Sequence, residues 1–291
     1  MSTPEPVSRE TPSPRVSRET APAPDAPLLA PRIVTVANQK GGVGKTTTCV
    51  NLATALALGG RRVLAIDLDP QGNASTGYGI AHHVGVPSMY DVLVAGRSLG
   101  DVVRIAPESP NLRVAPATID LAGAEVELVP LIAREARLRK ALRTYLTESA
   151  TPPDVVLIDC PPSLGLLTVN AFVAATDVLI PIQCEYYALE GLGQLTKNVE
   201  LIRAHLNPAL RVGAILLTMF DGRTRLAEQV AADVRGHFGA LVLESVIPRS
   251  VRLSEAPSYG QSVLAYDSSS RGAQAYLAAA RELAARWTVA A

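Results

Sequence analysis

Lysine is almost absent from this chain. Only four occur among 291 residues, Lys40, Lys45, Lys140 and Lys197, and the first two share one glycine-rich stretch; every other permanent cation is arginine. Cysteine is equally scarce. Cys49, Cys160 and Cys184 are far apart, lack CxxC spacing and sit in apolar contexts, which excludes a disulfide framework and predicts buried thiols in a reducing cytoplasm. No apolar run approaches the roughly 20 residues that span a bilayer, and the N-terminus has neither a positive n-region nor an h-region, so neither a membrane span nor a secretory leader is expected. Formal net charge is zero. No global field draws the protein to nucleic acid or anionic lipid, and any DNA contact must come from a local patch.

What is present is apolar and periodic. With 48% hydrophobic residues the chain can bury a large core, and an α/β unit of about 250 residues can be a single domain. Residues 1–31 stand apart, being rich in Pro, Ser, Thr, Glu and Arg and unable to bury enough surface to offset ordering entropy, so a disordered tail is expected there. It contains the repeat Val7-Ser8-Arg9-Glu10-Thr11 and Val16-Ser17-Arg18-Glu19-Thr20, and it is too short for a helix-turn-helix module. Over 32–291, short apolar runs alternate with longer helical patterns, the signature of a doubly wound, mostly parallel α/β sheet with helices on both faces. Strands are expected at 33–37, 63–67, 112–115, 155–159, 178–182, 212–218 and 241–246. Helices are expected at about 46–58, 130–147, 166–174, 191–205, 225–238 and 273–286.

Three motifs carry chemistry. Lys40-Gly41-Gly42-Val43-Gly44-Lys45-Thr46-Thr47 lies between the first strand and the first helix. Its glycines let successive N–H groups turn inward, and the helix dipole adds positive potential, so the loop is built for phosphate. Lys45 would pair with the β/γ-phosphates and Thr46 would offer its hydroxyl to Mg²⁺. The pattern GxxxxGK[ST] asks for glycine where Gln39 stands, so this P-loop is a deviant one. The second strand ends in Asp67-Leu68-Asp69-Pro70-Gln71-Gly72, with both carboxylates expected on one side, close to the P-loop on the neighbouring strand, where they can orient water or Mg²⁺. The run Val155 to Asp159 has the form of a Walker B strand, with Asp159 expected to hold Mg²⁺ through water.

In their order, KGGVGKTT, DLDPQGN, VLIDCPPS, QCEYYALEGL and IPRSVRLSEAPSYG resemble the ParA/Soj chromosome-partitioning ATPases, in the MinD/ParA branch of deviant Walker ATPases. The resemblance runs from Ile33 to the C-terminal helix and leaves the tail out. It implies a Mg²⁺-dependent ATPase in which two subunits sandwich two ATP molecules and Lys40 reaches the partner's phosphates. Cations across the interface would offset repulsion between the triphosphates. Asp69 then matches the acid that positions the attacking water, Thr46 and Asp159 the magnesium side, and Asp67 a second acid of that strand. Met219, Pro248 and Arg249 match the adenine loop, and Glu185 an acid near the dimer interface. Arg223 and Arg252 match arginines that hold DNA without sequence preference, with Arg225 and Arg271 as further candidates for that face.

The resemblance further implies a homodimer formed with ATP, nonspecific double-stranded DNA, a ParB-type centromere-binding protein that stimulates hydrolysis, a polar scaffold protein, and a cytoplasmic, nucleoid-associated location. The ParB site resembles GTTTCACGTGAAAC, which reads Val-Ser-Arg-Glu-Thr in one frame. The tail repeats are therefore expected to reflect two such sites in the coding DNA, the alternative being a duplicated linear motif for a protein partner. A MinD-like membrane-associated positioning ATPase is the competing function. It would end in a basic amphipathic helix, whereas residues 277–287 combine small residues with mixed charge.

Overall fold

A computed structural model describes residues 31–185 and 188–289. The tail repeats lie outside the described residues, as do Tyr186 and Tyr187 of the QCEYYALEGL segment. The strands are β1 (Arg32–Val36), β2 (Val63–Asp67), β3 (Arg104–Ile105), β4 (Leu112–Ala115), β5 (Val155–Asp159), β6 (Asp177–Gln183), β7 (Arg211–Phe220) and β8 (Val242–Pro248). They form one sheet in the order β3-β4-β2-β5-β1-β6-β7-β8. Every neighbouring pair is parallel except β3 with β4.

Alternation along the strands feeds two cores. On β5, Val156 and Ile158 face one layer and Val155 and Leu157 the other. Helices Arg137–Glu148, Leu166–Ala174 and Ala188–His205 cover the first face, while Lys45–Leu58 and Arg271–Val289 cover the second. Burying a Leu or Phe side chain contributes about 1.5–3 kcal/mol, and Phe172 and Leu52 are fully buried in their respective layers. In the last helix Tyr276, Ala279, Ala280, Leu283 and Trp287 are buried in the second core. Its apolar face is therefore packed on the sheet rather than presented outward. No helix among the described residues is long and apolar enough to cross a membrane.

Three expectations need correction. The second strand does not neighbour the first, because β5 lies between β1 and β2. The helix expected from Pro130 begins only at Arg137: Ala133 adopts φ 52°, a left-handed turn, and a short 3₁₀ segment Arg134–Ala136 follows. A separate helix, Leu121–Glu127, precedes that turn. The last strand starts at Val242, because residues Gly239–Leu241 form a 3₁₀ turn.

Candidate functional site

The strand order brings the three motifs to one edge. Val36 on β1 and Asp67 on β2 both register with Asp159 on β5, so the loop after β1 and the acidic turn after β2 flank the end of the central strand. Gly42 and Gly44 have φ of 73° and 87°, which a residue with a Cβ adopts only with strain. Gly44 caps helix Lys45–Leu58 with no side-chain hydrogen bond, so the first-turn N–H groups are left for an anion. From β7, the Thr218 hydroxyl donates to the Val43 carbonyl at 2.8 Å and pins the loop. Sequence reasoning gave Thr218 no role, since nothing within its strand signals contact with a loop 175 positions away.

Lys45 is buried beside this loop, and its Nζ donates to the Lys40 carbonyl at 3.1 Å. Burial lowers its pKa, while the carboxylates of Asp159 and Asp69 pull it back up. Lys40 points elsewhere. Its Nζ pairs with Glu185 at 2.5 Å, both side chains being about half exposed. Its backbone N–H donates to Asn38, whose amide in turn donates to the Pro181 carbonyl on β6. Within one chain, then, Lys40 and Glu185 are each other's partner.

The two registered acids differ sharply. Asp67 accepts three hydrogen bonds: from the Asp69 N–H at 3.1 Å, the Ser75 N–H at 2.8 Å and the Ser75 hydroxyl at 2.7 Å. Burial raises its pKa to about 6, against the pull of those donors. Asp159 is fully buried, and neither of its oxygens has a hydrogen-bond partner. Burial, and then the adjacent Asp67 carboxylate, push its pKa well above the usual range, while the Thr46 hydroxyl and Lys45 act in the opposite direction. A buried carboxyl left without donors costs free energy unless a cation compensates. That orphaned pair of oxygens fits a magnesium ion held by Asp159 and Thr46, the remaining ligands coming from phosphate and water. Asp67 is the less suitable ligand because both its oxygens are already engaged. Among the described residues no three His, Cys, Asp or Glu side chains converge as a self-sufficient metal cage.

Asp69 lies just past β2 and is also buried. Its Oδ1 accepts from the Gln71 N–H at 3.0 Å, and the Leu68 N–H donates to the Asp159 carbonyl at 3.0 Å, so the turn is tied to the end of the central strand. Cys160 follows Asp159 and is buried, which pushes its thiol up and away from reactivity; all three cysteines are buried and free.

A cavity of about 430 Å³ opens beside the helix start, with Gly44, Thr46 and Thr47 on one wall and Met219, Pro248 and Arg249 on another. Its size suits a small-molecule site, for which about 300–1,000 Å³ is usual. Met219 has φ 51°, uncommon for a side chain of its size and a strain of about 1–3 kcal/mol. The turn it makes leads into Phe220, whose carbonyl accepts the Arg249 N–H at 3.2 Å and so draws the segment carrying Pro248 and Arg249 alongside.

The arginine candidates lie on the segments that follow β7 and β8, which we call the arginine rim. Arg223 is 88% exposed, yet it forks onto Asp221, Nε to Oδ1 at 2.9 Å and Nη2 to Oδ2 at 2.7 Å. Those bonds hold the Asp221 carboxyl down at about 2, with a smaller pull from Arg249. Arg252 pairs with Glu255 at 2.9 Å and Asp267 at 3.4 Å and lies 6.0 Å from the centre of the Tyr266 ring. Arg225 and Arg271 are exposed at the starts of their helices. Arg271 adjoins the helix Val251–Glu255 that carries Arg252, since a Cβ on Gly272 would meet Leu253 at 2.8 Å.

The AAA-domain family matches residues 31–212. The sporulation initiation inhibitor protein Soj of Bacillus subtilis (strain 168) is 53% identical over 254 residues, 87% of this chain and 98% of that protein. Chromosome partitioning protein ParA of Myxococcus xanthus (strain DK1622) is 52% identical over 257 residues, 88% of this chain and 89% of that one. Among solved structures, a cobyrinic acid a,c-diamide synthase from Mycobacterium smegmatis with bound ADP and magnesium superposes with a TM-score of 0.77 at 37% identity, covering 90% of this chain and 97% of that one. Identity above one half across nearly the full length of Soj, joined to a deviant P-loop beside an unpartnered Walker B acid, leads to one conclusion: the chain belongs to the Soj/ParA family of chromosome-partitioning ATPases.

Proposed function

We propose that this ATPase is a DNA-segregation switch: with ATP it forms a sandwich dimer that holds DNA without sequence preference, and hydrolysis stimulated by a ParB-type protein releases it. The observation that carries the reading is Asp159, a buried carboxyl with no partner of its own beside an uncapped helix start. Bound there, Mg²⁺ supplies the charge that neutralises the phosphates.

The chain's own residues do the rest by position. Lys45 turns from the Lys40 carbonyl to the phosphates, and the loop N–H groups hold them. Asp69, fixed by the Gln71 N–H and by its own N–H on Asp67, orients the attacking water. Asp67 acts as the brace of that turn. Lys40 exchanges Glu185 for phosphates of the second subunit. The arginine rim supports the DNA half of the reading, because Arg223, Arg249, Arg252 and Arg271 lie on adjoining segments and a dimer would set two such rims together. The packed face of the C-terminal helix favours this reading over a membrane-bound one.

Retention on a DNA duplex, measured with ATP, ADP and a non-hydrolysable analogue, with and without the ParB-type protein, tests the whole proposal. Retention should require ATP or the analogue and should fall on adding the partner only when ATP can be hydrolysed. Equal retention in all nucleotide states rejects the switch.

A further inference from the structure

A second and larger concavity, about 890 Å³, lies away from the nucleotide cavity, between the turn after the π-helix Asp91–Ala95 and helix Arg137–Glu148. That helix reads RLRKALRTYLTE, with four cations against one carboxylate in 12 residues. Arg137, Lys140 and Arg143 follow at i, i+3 spacing and so share one face, where like charges destabilise a helix. The carboxylate, Glu148, stands at the far end.

The cations are not equivalent. Arg137 donates to the Leu93 carbonyl and, at 3.2 Å, to that of Val94, so it closes the end of the π-helix. Arg139 reaches the Leu206 carbonyl at 3.3 Å. Arg97, Lys140 and Arg143 are exposed at the concavity, and none of the three has an ion-pair partner among the described residues. Gly96, at φ 74°, turns the chain so that Arg97 follows directly over the groove. Two further features mark the place: π-helices are rare and recur at functional sites, and Ala133 on the rim has the left-handed φ of 52°.

The floor and rim are apolar as well as basic. Val92 and Leu99 lie beneath, and Ile132 on the rim is 93% exposed, the highest exposure of any large hydrophobic residue described. A phosphate backbone gains nothing from an isoleucine. A helix with carboxylates along one face and Leu or Val along the other satisfies both chemistries at once, charge against Arg97, Lys140 and Arg143, and apolar contact with Ile132. We propose that this groove is a docking site for an acidic amphipathic segment of a partner protein, separate from the arginine rim and from the ATP site.

The test uses the full chain and three fluorescein-labelled probes: an amphipathic helical peptide of Glu and Leu, its twin with Gln for Glu, and a DNA duplex. The acidic peptide should bind, the Gln twin should bind weakly, and Lys140→Glu with Arg143→Glu should weaken the acidic peptide by roughly tenfold or more, as for paired interface charges. Ile132→Asn should weaken both peptides, and ATP hydrolysis should be unchanged in each variant. Because these positions are exposed, unchanged thermal melting will separate loss of docking from loss of fold; if the double variant melts early, Arg97→Ser serves in its place. Failure of the acidic peptide to bind, or equal binding to wild type and charge-reversed protein, overturns the proposal. So does loss of duplex binding on charge reversal with peptide binding retained, which would make the groove a nucleic-acid surface.

Discussion

The acidic strand ends and the arginine rim solve opposite problems. At the ends of β2 and β5 the carboxyls are buried and incompletely paired: neither Asp159 oxygen makes a hydrogen bond of good geometry, and the Thr46 hydroxyl is the one donor that acts on it. On the rim beyond β7 and β8 charge is exposed and already paired, Arg223 by Asp221 and Arg252 by Glu255 and Asp267. A buried unpaired carboxyl makes binding a cation favourable, because the cost has been met in folding. An exposed paired arginine makes binding an anion conditional, since the resident carboxylate must be displaced or tolerated. The first region is preorganised for its ligand; the second is restrained against weak ones.

The largest effect expected is at Asp69. Asp69→Ala should lower ATP hydrolysis by about a hundredfold to ten-thousandfold, the usual weight of a positioned acid–base group, while ATP binding persists in a filter assay. Next, Asp159→Asn removes the orphaned carboxyl. The nucleotide-free protein should melt higher, by about 1–3 kcal/mol in stability, and should lose the further rise that Mg²⁺ with nucleotide gives the parent. A fall in nucleotide-free stability would mean that Asp159 is satisfied by a group other than the metal.

The rim separates into two opposed changes. Arg223→Ala should reduce DNA retention and lower the dependence on salt by about one counterion per lost contact, whereas Asp221→Asn should strengthen retention by freeing the same guanidinium. If both weaken binding equally, the pair holds the turn and does not restrain the arginine. The smallest effect belongs to Glu185→Gln. A half-exposed ion pair is worth about 0–1 kcal/mol, so melting should barely move, and the readout is the ATP concentration at which dimers form by light scattering, expected to fall as Lys40 is released.

Much of the nucleotide end was legible in the sequence, because each motif is contiguous and sits where an apolar run stops. Lys45, Asp69 and Asp159 announce themselves in that way, and the seven long strands follow from Val, Ile and Leu clustered between helical patterns. What was not legible depends on distant contacts or very short elements. Thr218 holds the loop from another strand. Ser75 donates two hydrogen bonds to Asp67 from a five-residue helix too short to carry a periodic signal. β3 has only two residues, both exposed. The place of β5 between β1 and β2 cannot be read from either segment, and assuming sequential neighbours put the Asp67 turn beside the wrong strand. The Arg223 fork onto Asp221 spans only two positions, so it is local enough for the sequence to suggest.

Insertion of β5 between β1 and β2 also joins two motifs that the sequence keeps far apart. The turn that carries Asp69 touches the central strand through the Leu68 N–H on the Asp159 carbonyl, so the two acidic motifs are tied to each other by a single backbone hydrogen bond. Backbone displacement at the end of the central strand is therefore felt directly in the turn that carries Asp69.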